Sequence, residues 1–150
     1  MKVLFVCLGN ICRSPTAESV MRVLARDAGK AVELDSAGTG GWHVGEAADP
    51  RSRNVAARRG YPIDHRARQL SYDDFARFDL ILAMDRQNLA DIEKLARGVE
   101  HVPRIALFRS YDSTAESGAE VPDPYAGGAE GFERVVDICE RACRGLLETL

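Results

Sequence analysis

Val3-Leu-Phe-Val-Cys7-Leu-Gly-Asn-Ile-Cys12-Arg13-Ser14-Pro15 is the stretch around which the chain is organised. Its first five residues are apolar, with β-branched and aromatic members, which reads as a buried strand. Its end runs into Thr16-Ala17-Glu18 and carries the signals of a helix start. Ser14 is the expected N-cap, Pro15 the first helical residue, and Glu18 an acidic residue of the first turn. Between strand and helix lies a tight loop with a thiol, Cys7, at one end and a guanidinium, Arg13, at the other.

That order of parts suits an oxyanion. Backbone N–H groups of a loop wrapped over a helix N-terminus point inward, and the helix dipole favours negative charge there. Leu8, Gly9, Asn10, Ile11, Cys12, Arg13 and Ser14 are therefore the candidate phosphate-binding residues. Gly9 permits a close turn, and Asn10 tolerates a left-handed backbone better than most side chains. Arg13 has the planar fork that grips two phosphate oxygens. The same positive field favours a thiolate at Cys7, a nucleophile aimed at a cradled phosphorus. The stretch is not a nucleotide-binding loop, because no Gly-Lys-Ser/Thr follows, and not a dinucleotide fingerprint, because its turn holds one glycine.

Cys7-Leu-Gly-Asn-Ile-Cys-Arg13-Ser14-Pro15 resembles the signature loop of the low-molecular-weight protein tyrosine phosphatases. The resemblance continues through Asp35-Ser-Ala-Gly38, Trp42, His65-Arg-Ala-Arg68, Phe78 to Asp85, and Asp123-Pro124-Tyr125, in the family's order. It implies that Ser36, His65 and Asn10 hold the loop's shape through hydrogen bonds. It also links Cys12 to reversible oxidation, through a disulfide with Cys7.

The chain has 150 residues, enough for one domain with a substantial core, expected over residues 1–150. Its formal net charge of −3 leaves no nucleic-acid footprint. No apolar run is long enough to span a membrane, and the N-terminal run stops too early for a signal peptide. Four cysteines, one of them a reactive candidate, suit a reducing cytoplasm rather than a disulfide scaffold. A monomer is expected.

Downstream, helical spacing over Pro15–Ala28 ends at Gly29. Ala31–Asp35 reads as a second strand and Ser36–Gly41 as a loop. Asp49-Pro50 opens a helix closed by Gly60, and Ser71–Asp74 starts a short one with a capping box. Phe78–Met84 and Val102–Phe108 read as strands, with a helix from about Asp85 to Arg97 between them. A long polar loop over Arg109–Gly128 precedes a final helix over Ala129–Leu150. Strands alternating with helices imply an α/β three-layer sandwich: a four-stranded parallel sheet with helices on both faces and right-handed crossovers. Ligands of such sheets bind beyond the carboxyl ends of the strands, where Cys7, Ser36 and Asp85 fall.

Displacing an alkoxide or phenolate from phosphorus needs a proton donor at the leaving oxygen. Asp123, stiffened by Pro122 and Pro124 in a long loop, is the candidate acid. Cys7, Arg13 and Asp123 form the expected catalytic set, and a Ser14 hydrogen bond to Cys7 would favour its thiolate. Trp42, Tyr125 and Ile11 are the expected cleft for a flat aryl ring, with Ala126 where the family often has a second aromatic residue. Within the resemblance, an apolar Ile11 favours tyrosine over phosphoarginine.

The expected substrates are tyrosine-phosphorylated proteins, a cognate tyrosine kinase among them, with inorganic phosphate and other oxyanions as inhibitors. No cofactor and no metal are expected: Arg13 and the loop amides supply the positive field, and the cysteine spacings fit no zinc site. Cys139 and Cys143 lie one helical turn apart in an apolar stripe, which marks them as core. Asp112, Glu116 and Glu120 read as a solvated acidic loop face. Two rival readings remain. Arsenate reduction would need redox cysteines over 82–89, where there are none, and an inert anion-binding module would need neither nucleophile nor acid.

Overall fold

The computed structural model describes residues 1–150. Strand β1 (Lys2–Cys7) occupies the interior of a parallel four-stranded sheet of order β2-β1-β3-β4, with β2 (Glu33–Gly38), β3 (Leu80–Ala83) and β4 (Arg104–Leu107). Five helices connect and cover it: α1 (Arg13–Asp27), α2 (Pro50–Arg58), α3 (Tyr72–Arg77), α4 (Arg86–Ala96) and α5 (Ala129–Leu147).

The apolar run of β1 faces cores on both sides of the sheet, which is why it does not alternate with polar residues. Val3, Phe5 and Cys7 join the core beneath α1, α2 and α5. Leu4 and Val6 join a smaller core beneath α3 and α4, with Phe75, Phe78, Ile81 and Ile92. Cys139 and Cys143 of α5 are fully buried in the larger core, and all four cysteines are free thiols. The chain has no helix long and apolar enough to cross a membrane.

Several boundaries differ from those read in the sequence. Helix α1 starts at Arg13 with Cys12 as its N-cap, so neither Ser14 caps it nor does Pro15 occupy its first position. The Ser14 hydroxyl is turned to Cys7 and Asn10 instead. Strand β2 begins later than expected and continues through Ser36 to Gly38, because its ladder follows β1 down to the pair Cys7–Gly38. At Gly38 a Cβ would lie 2.7 Å from the Leu8 carbonyl oxygen, so glycine lets the loop pass this close. The last two strands are shorter than expected, and α5 stops at Leu147.

The loop after β4 opens with a 3-10 turn over Phe108–Tyr111. Its acidic residues do not form one solvated face: Glu116 is exposed as expected, but the others are not free. The Asp112 carboxylate is buried, accepts bonds from Thr114 and pairs with Arg109 and Arg141, and Glu120 pairs with Arg86. Those bonds hold Asp112 below the ordinary carboxylate pKa even though burial alone would raise it. The capping residues of α2 and α3 are as the sequence predicts: Asp49 caps the Arg51 amide, and Ser71 and Asp74 form a capping box. Asp85, read only as the approximate start of a helix, caps the Asn88 amide of α4.

Candidate active site

The loop from Leu8 to Cys12 joins the end of β1 to the start of α1 at the carboxyl edge of the sheet. Asn10 lies at its centre with φ +59°, the one non-glycine residue in the left-handed region. The amides of Leu8, Gly9, Ile11, Cys12, Arg13 and Ser14 donate to no protein atom, and the Asn10 amide donates to Cys7 Sγ at 3.2 Å. Ile11 to Ser14 are buried residues, and amides without acceptors in such residues are rare in folded proteins; a run of them at a helix N-terminus is suited to bind an anion.

The side chains beneath this loop form a network whose proton directions can be worked out. The Arg68 N–H donates to Asn10 Oδ1 at 2.9 Å, which fixes that atom as the amide oxygen. His65 Nε2, 2.8 Å from the same oxygen, must then carry the proton. Asn10 Nδ2 donates to Ser14 Oγ at 2.8 Å and to Ser36 Oγ at 3.1 Å. Each serine has its own hydroxyl proton left to give. Ser36 gives its proton to Glu18 Oε1 at 2.7 Å, and Ser14 Oγ lies 2.9 Å from Cys7 Sγ with its hydroxyl proton available to the sulfur. The sulfur thus has a hydroxyl and an amide within hydrogen-bonding distance.

Glu18, Asp35 and His65 bring potential metal-ligating atoms within 4.8 Å of one another. Their oxygens already accept from Ser36, Arg22 and Arg68, so the cluster belongs to the support of the loop. Glu18, expected only as a first-turn acid, has this structural part because it lies one and a half turns into α1, facing β2.

Arg13 is buried, with Nη1 donating to Asp85 Oδ2 at 2.7 Å and to the Val121 carbonyl at 3.1 Å. Its Nη2 lies 3.7 Å from Asp123 Oδ2, and neither Nη2 nor Nε has a protein hydrogen-bond acceptor. Asp85 thus aims the guanidinium, and together with Cys7 it holds the Arg13 charge more firmly than burial alone would allow. The sequence signalled Asp85 as the approximate start of a helix at a strand's carboxyl end, and nothing local marked it as the partner of Arg13.

Cys7, Ile11, Cys12, Arg13, Trp42, Asp123 and Tyr125 line one cleft of about 190 Å³, with Leu8, Gly9 and His43 completing it. The buried Ile11 lies in its wall, and Trp42 and Tyr125 stand at its mouth, 71% and 50% exposed. A Cβ on Gly40 would lie 1.9 Å from the Trp42 ring, so the indole rests directly on that glycine's backbone. His43, which the sequence reading passed over, has its ring 6.3 Å from that of Tyr125. It provides an aromatic surface that Ala126 does not. The side chain of Asn10, with Ser36 and His65, lies behind the loop rather than in the cleft.

Arg51 is a second residue that sequence reasoning missed. Its guanidinium lies over the rings of Phe132 and Tyr125, at 4.6 and 5.5 Å from their centroids. It donates to the Tyr125 carbonyl at 2.9 Å and pairs with Asp49, whose amide in turn donates to the Ile11 carbonyl. One side chain therefore ties the Asp123 loop to the phosphate loop. The other side of that loop is tied by Val121, whose N–H donates to the Met84 carbonyl.

The family model for low molecular weight phosphotyrosine protein phosphatases matches residues 2–150. The chain belongs to that family. The phosphatase is 50% identical to a low molecular weight protein-tyrosine-phosphatase of Streptomyces coelicolor, over 97% of this chain and 91% of that one. It is 44% identical to the human low molecular weight phosphotyrosine protein phosphatase, over 97% and 93% of the two chains. Among solved structures, a protein tyrosine phosphatase of Entamoeba histolytica superposes with a TM-score of 0.91 at 42% identity, covering 99% and 96%. A Drosophila arginine phosphatase superposes with a TM-score of 0.93 at 34% identity, covering 99% and 97%. The fold is shared across both substrate classes, so the class must be argued from the cleft.

Proposed function

We propose that the phosphatase hydrolyses phosphotyrosine in proteins, and small aryl phosphates, through a phosphocysteine on Cys7. The observation that carries this reading is the run of uncommitted loop amides around a sulfur that itself accepts from Ser14 and Asn10. Cys7 Sγ attacks phosphorus, the S–P bond forms, and the P–O bond to the leaving group breaks. Asp123 gives its proton to the departing oxygen. Water then attacks the phosphocysteine, Asp123 takes its proton, and the thiolate leaves with the Ser14 hydroxyl bonded to it. The amides and the free edge of Arg13 stabilise the equatorial oxygens in both steps. Inorganic phosphate and similar oxyanions compete for the same ring of donors.

The apolar Ile11 and the aromatic Trp42, His43 and Tyr125 favour a flat ring over a charged guanidino group. Turnover of an aryl phosphate well above that of a phosphoarginine substrate is expected, and the opposite preference would remove the tyrosine assignment. Acid quenching during turnover should trap one phosphate per chain on Cys7. Cys7→Ser should abolish turnover while phosphate binding persists. Retained turnover in that variant would defeat the mechanism.

The working environment is a reducing cytoplasm, with a monomer acting on phosphorylated proteins, a tyrosine kinase among them. Peroxide would convert Cys7 to a sulfenic acid. The Cys12 thiol would then form the Cys7–Cys12 disulfide with loss of water. Burial pushes the Cys12 thiol from 9.0 up to about 12, so this capture is slower than for an exposed thiol.

A further inference from the structure

A protein substrate brings more than a phosphorylated ring. Its chain must leave the cleft mouth across the adjoining surface, and the two sides of that mouth differ. On the Tyr125 side the polar groups are already paired, Arg51 with Asp49 and His43 with Glu46. On the other side, Leu8 and Trp42 are shared with a second and larger groove of about 480 Å³.

This groove continues past Trp42 to Tyr72 at the start of α3 and to Leu95 of α4. Its apolar rim is open to solvent: Leu8 is 40%, Trp42 71% and Tyr72 65% exposed. Two charged residues lie along it. Asp91 accepts from Gln87, whereas the ammonium of the exposed Lys94 makes no ion pair and no hydrogen bond with the protein. The groove therefore offers apolar surface beside a free ammonium.

We propose that this groove docks the segment of the substrate flanking its phosphotyrosine, taking an apolar side chain with an acidic residue beside it. The inference rests on the assignment of the cleft to phosphotyrosine. An extended chain advances about 3.3–3.6 Å per residue. Alternate side chains share a face, so one within two or three residues of the phosphotyrosine reaches across the Trp42 ridge. The apolar contact supplies affinity, and Lys94 supplies charge preference. The groove touches neither Cys7 nor Asp123, so its contribution appears only with substrates long enough to fill it.

The test compares phosphotyrosyl peptides with a small aryl phosphate. Peptides carrying Leu or Phe together with Glu on one side of the phosphotyrosine are scanned by position and side, against Gly-flanked and Arg-flanked controls. The apolar-acidic peptides should exceed the Gly-flanked ones in kcat/KM by about tenfold, the scale of one side chain entering an apolar pocket. Tyr72→Ala should remove most of that advantage. Lys94→Glu should reduce the preference for Glu by about threefold, the scale of an exposed ion pair, and shift it towards Arg. Both variants should hydrolyse the aryl phosphate like the parent. Equal rates on all peptides by the parent enzyme, with aryl phosphate turnover intact, would overturn the docking proposal alone. Loss of aryl phosphate turnover in the parent would overturn the cleft assignment and the docking proposal together.

Discussion

Replacing Asn10 by alanine and by glycine separates two contributions to the phosphate loop. Asn10 is held at φ +59°, and its amide makes four hydrogen bonds, to Ser14, Ser36, His65 and Arg68. Either substitution removes all four, at about 1 kcal/mol each, and leaves buried partners without mates, so a loss of about 4 kcal/mol is expected. Alanine also pays about 1–2 kcal/mol for the left-handed backbone, which glycine does not. Glycine gains unfolded-state freedom, costing about 0.4–1 kcal/mol. The net expectation is that Asn10→Gly is more stable than Asn10→Ala by roughly 1 kcal/mol, the reverse of the usual order in an extended or helical segment.

Urea unfolding followed by circular dichroism measures both differences, provided the dependence on denaturant is unchanged. Total stabilities are typically about 5–15 kcal/mol, so both variants should still fold where the parent exceeds about 6 kcal/mol. Phosphate should stabilise each less than it does the parent, because the amides are no longer held in place. Two results would refute the reasoning: alanine equal to or better than glycine, or both variants close to the parent in stability and turnover.

Two further outcomes follow from other parts of the structure. Arg51→Ala frees one side of the Asp123 loop, so turnover of substrates with poor leaving groups should fall on the order of tenfold, part of the general-acid contribution. In an Asp123→Asn background the same change should have little further effect, and full additivity in that double-mutant cycle would count against a positioning part for Arg51. At alkaline pH, burial keeps Cys12 and Tyr61 protonated to about 12 and raises Cys139 and Cys143 as well. Folded pKa values above unfolded ones add stability below the unfolded value, about 9 for a thiol, which is lost as pH rises towards the folded value. Unfolding free energy should fall by about 1.4 kcal/mol per pH unit for each such thiol. Urea midpoints from pH 8 to 11 measure the slope, and a flat profile would contradict the burial of these groups.

The sequence by itself determined the parts whose causes are local. The apolar run of β1, the caps at Asp49 and Ser71, the start of α4 near Asp85, and the Cys7–Arg13 loop are all settled by neighbouring residues and by backbone preferences. Alternating strands and helices were enough to fix a parallel sheet with its ligand edge, because connection length and handedness leave few other solutions. The reach of β2 through Gly38, the burial of Asp112 and the start of α1 at Arg13 were not legible, since each depends on pairing with distant segments.

The same holds for the residues that aim the candidate chemistry. Asp85 meets Arg13 across 72 positions, Arg51 meets the Tyr125 carbonyl across 74, and Arg68 meets Asn10 across 58. No periodicity or motif in one stretch records such a meeting. Local sequence specifies which backbone shapes are cheap. Only closure of the sheet and its helices brings remote donors and acceptors within bonding distance, and that closure sets the place of the Asn10 amide beneath Ser14 and the aim of the Arg13 guanidinium.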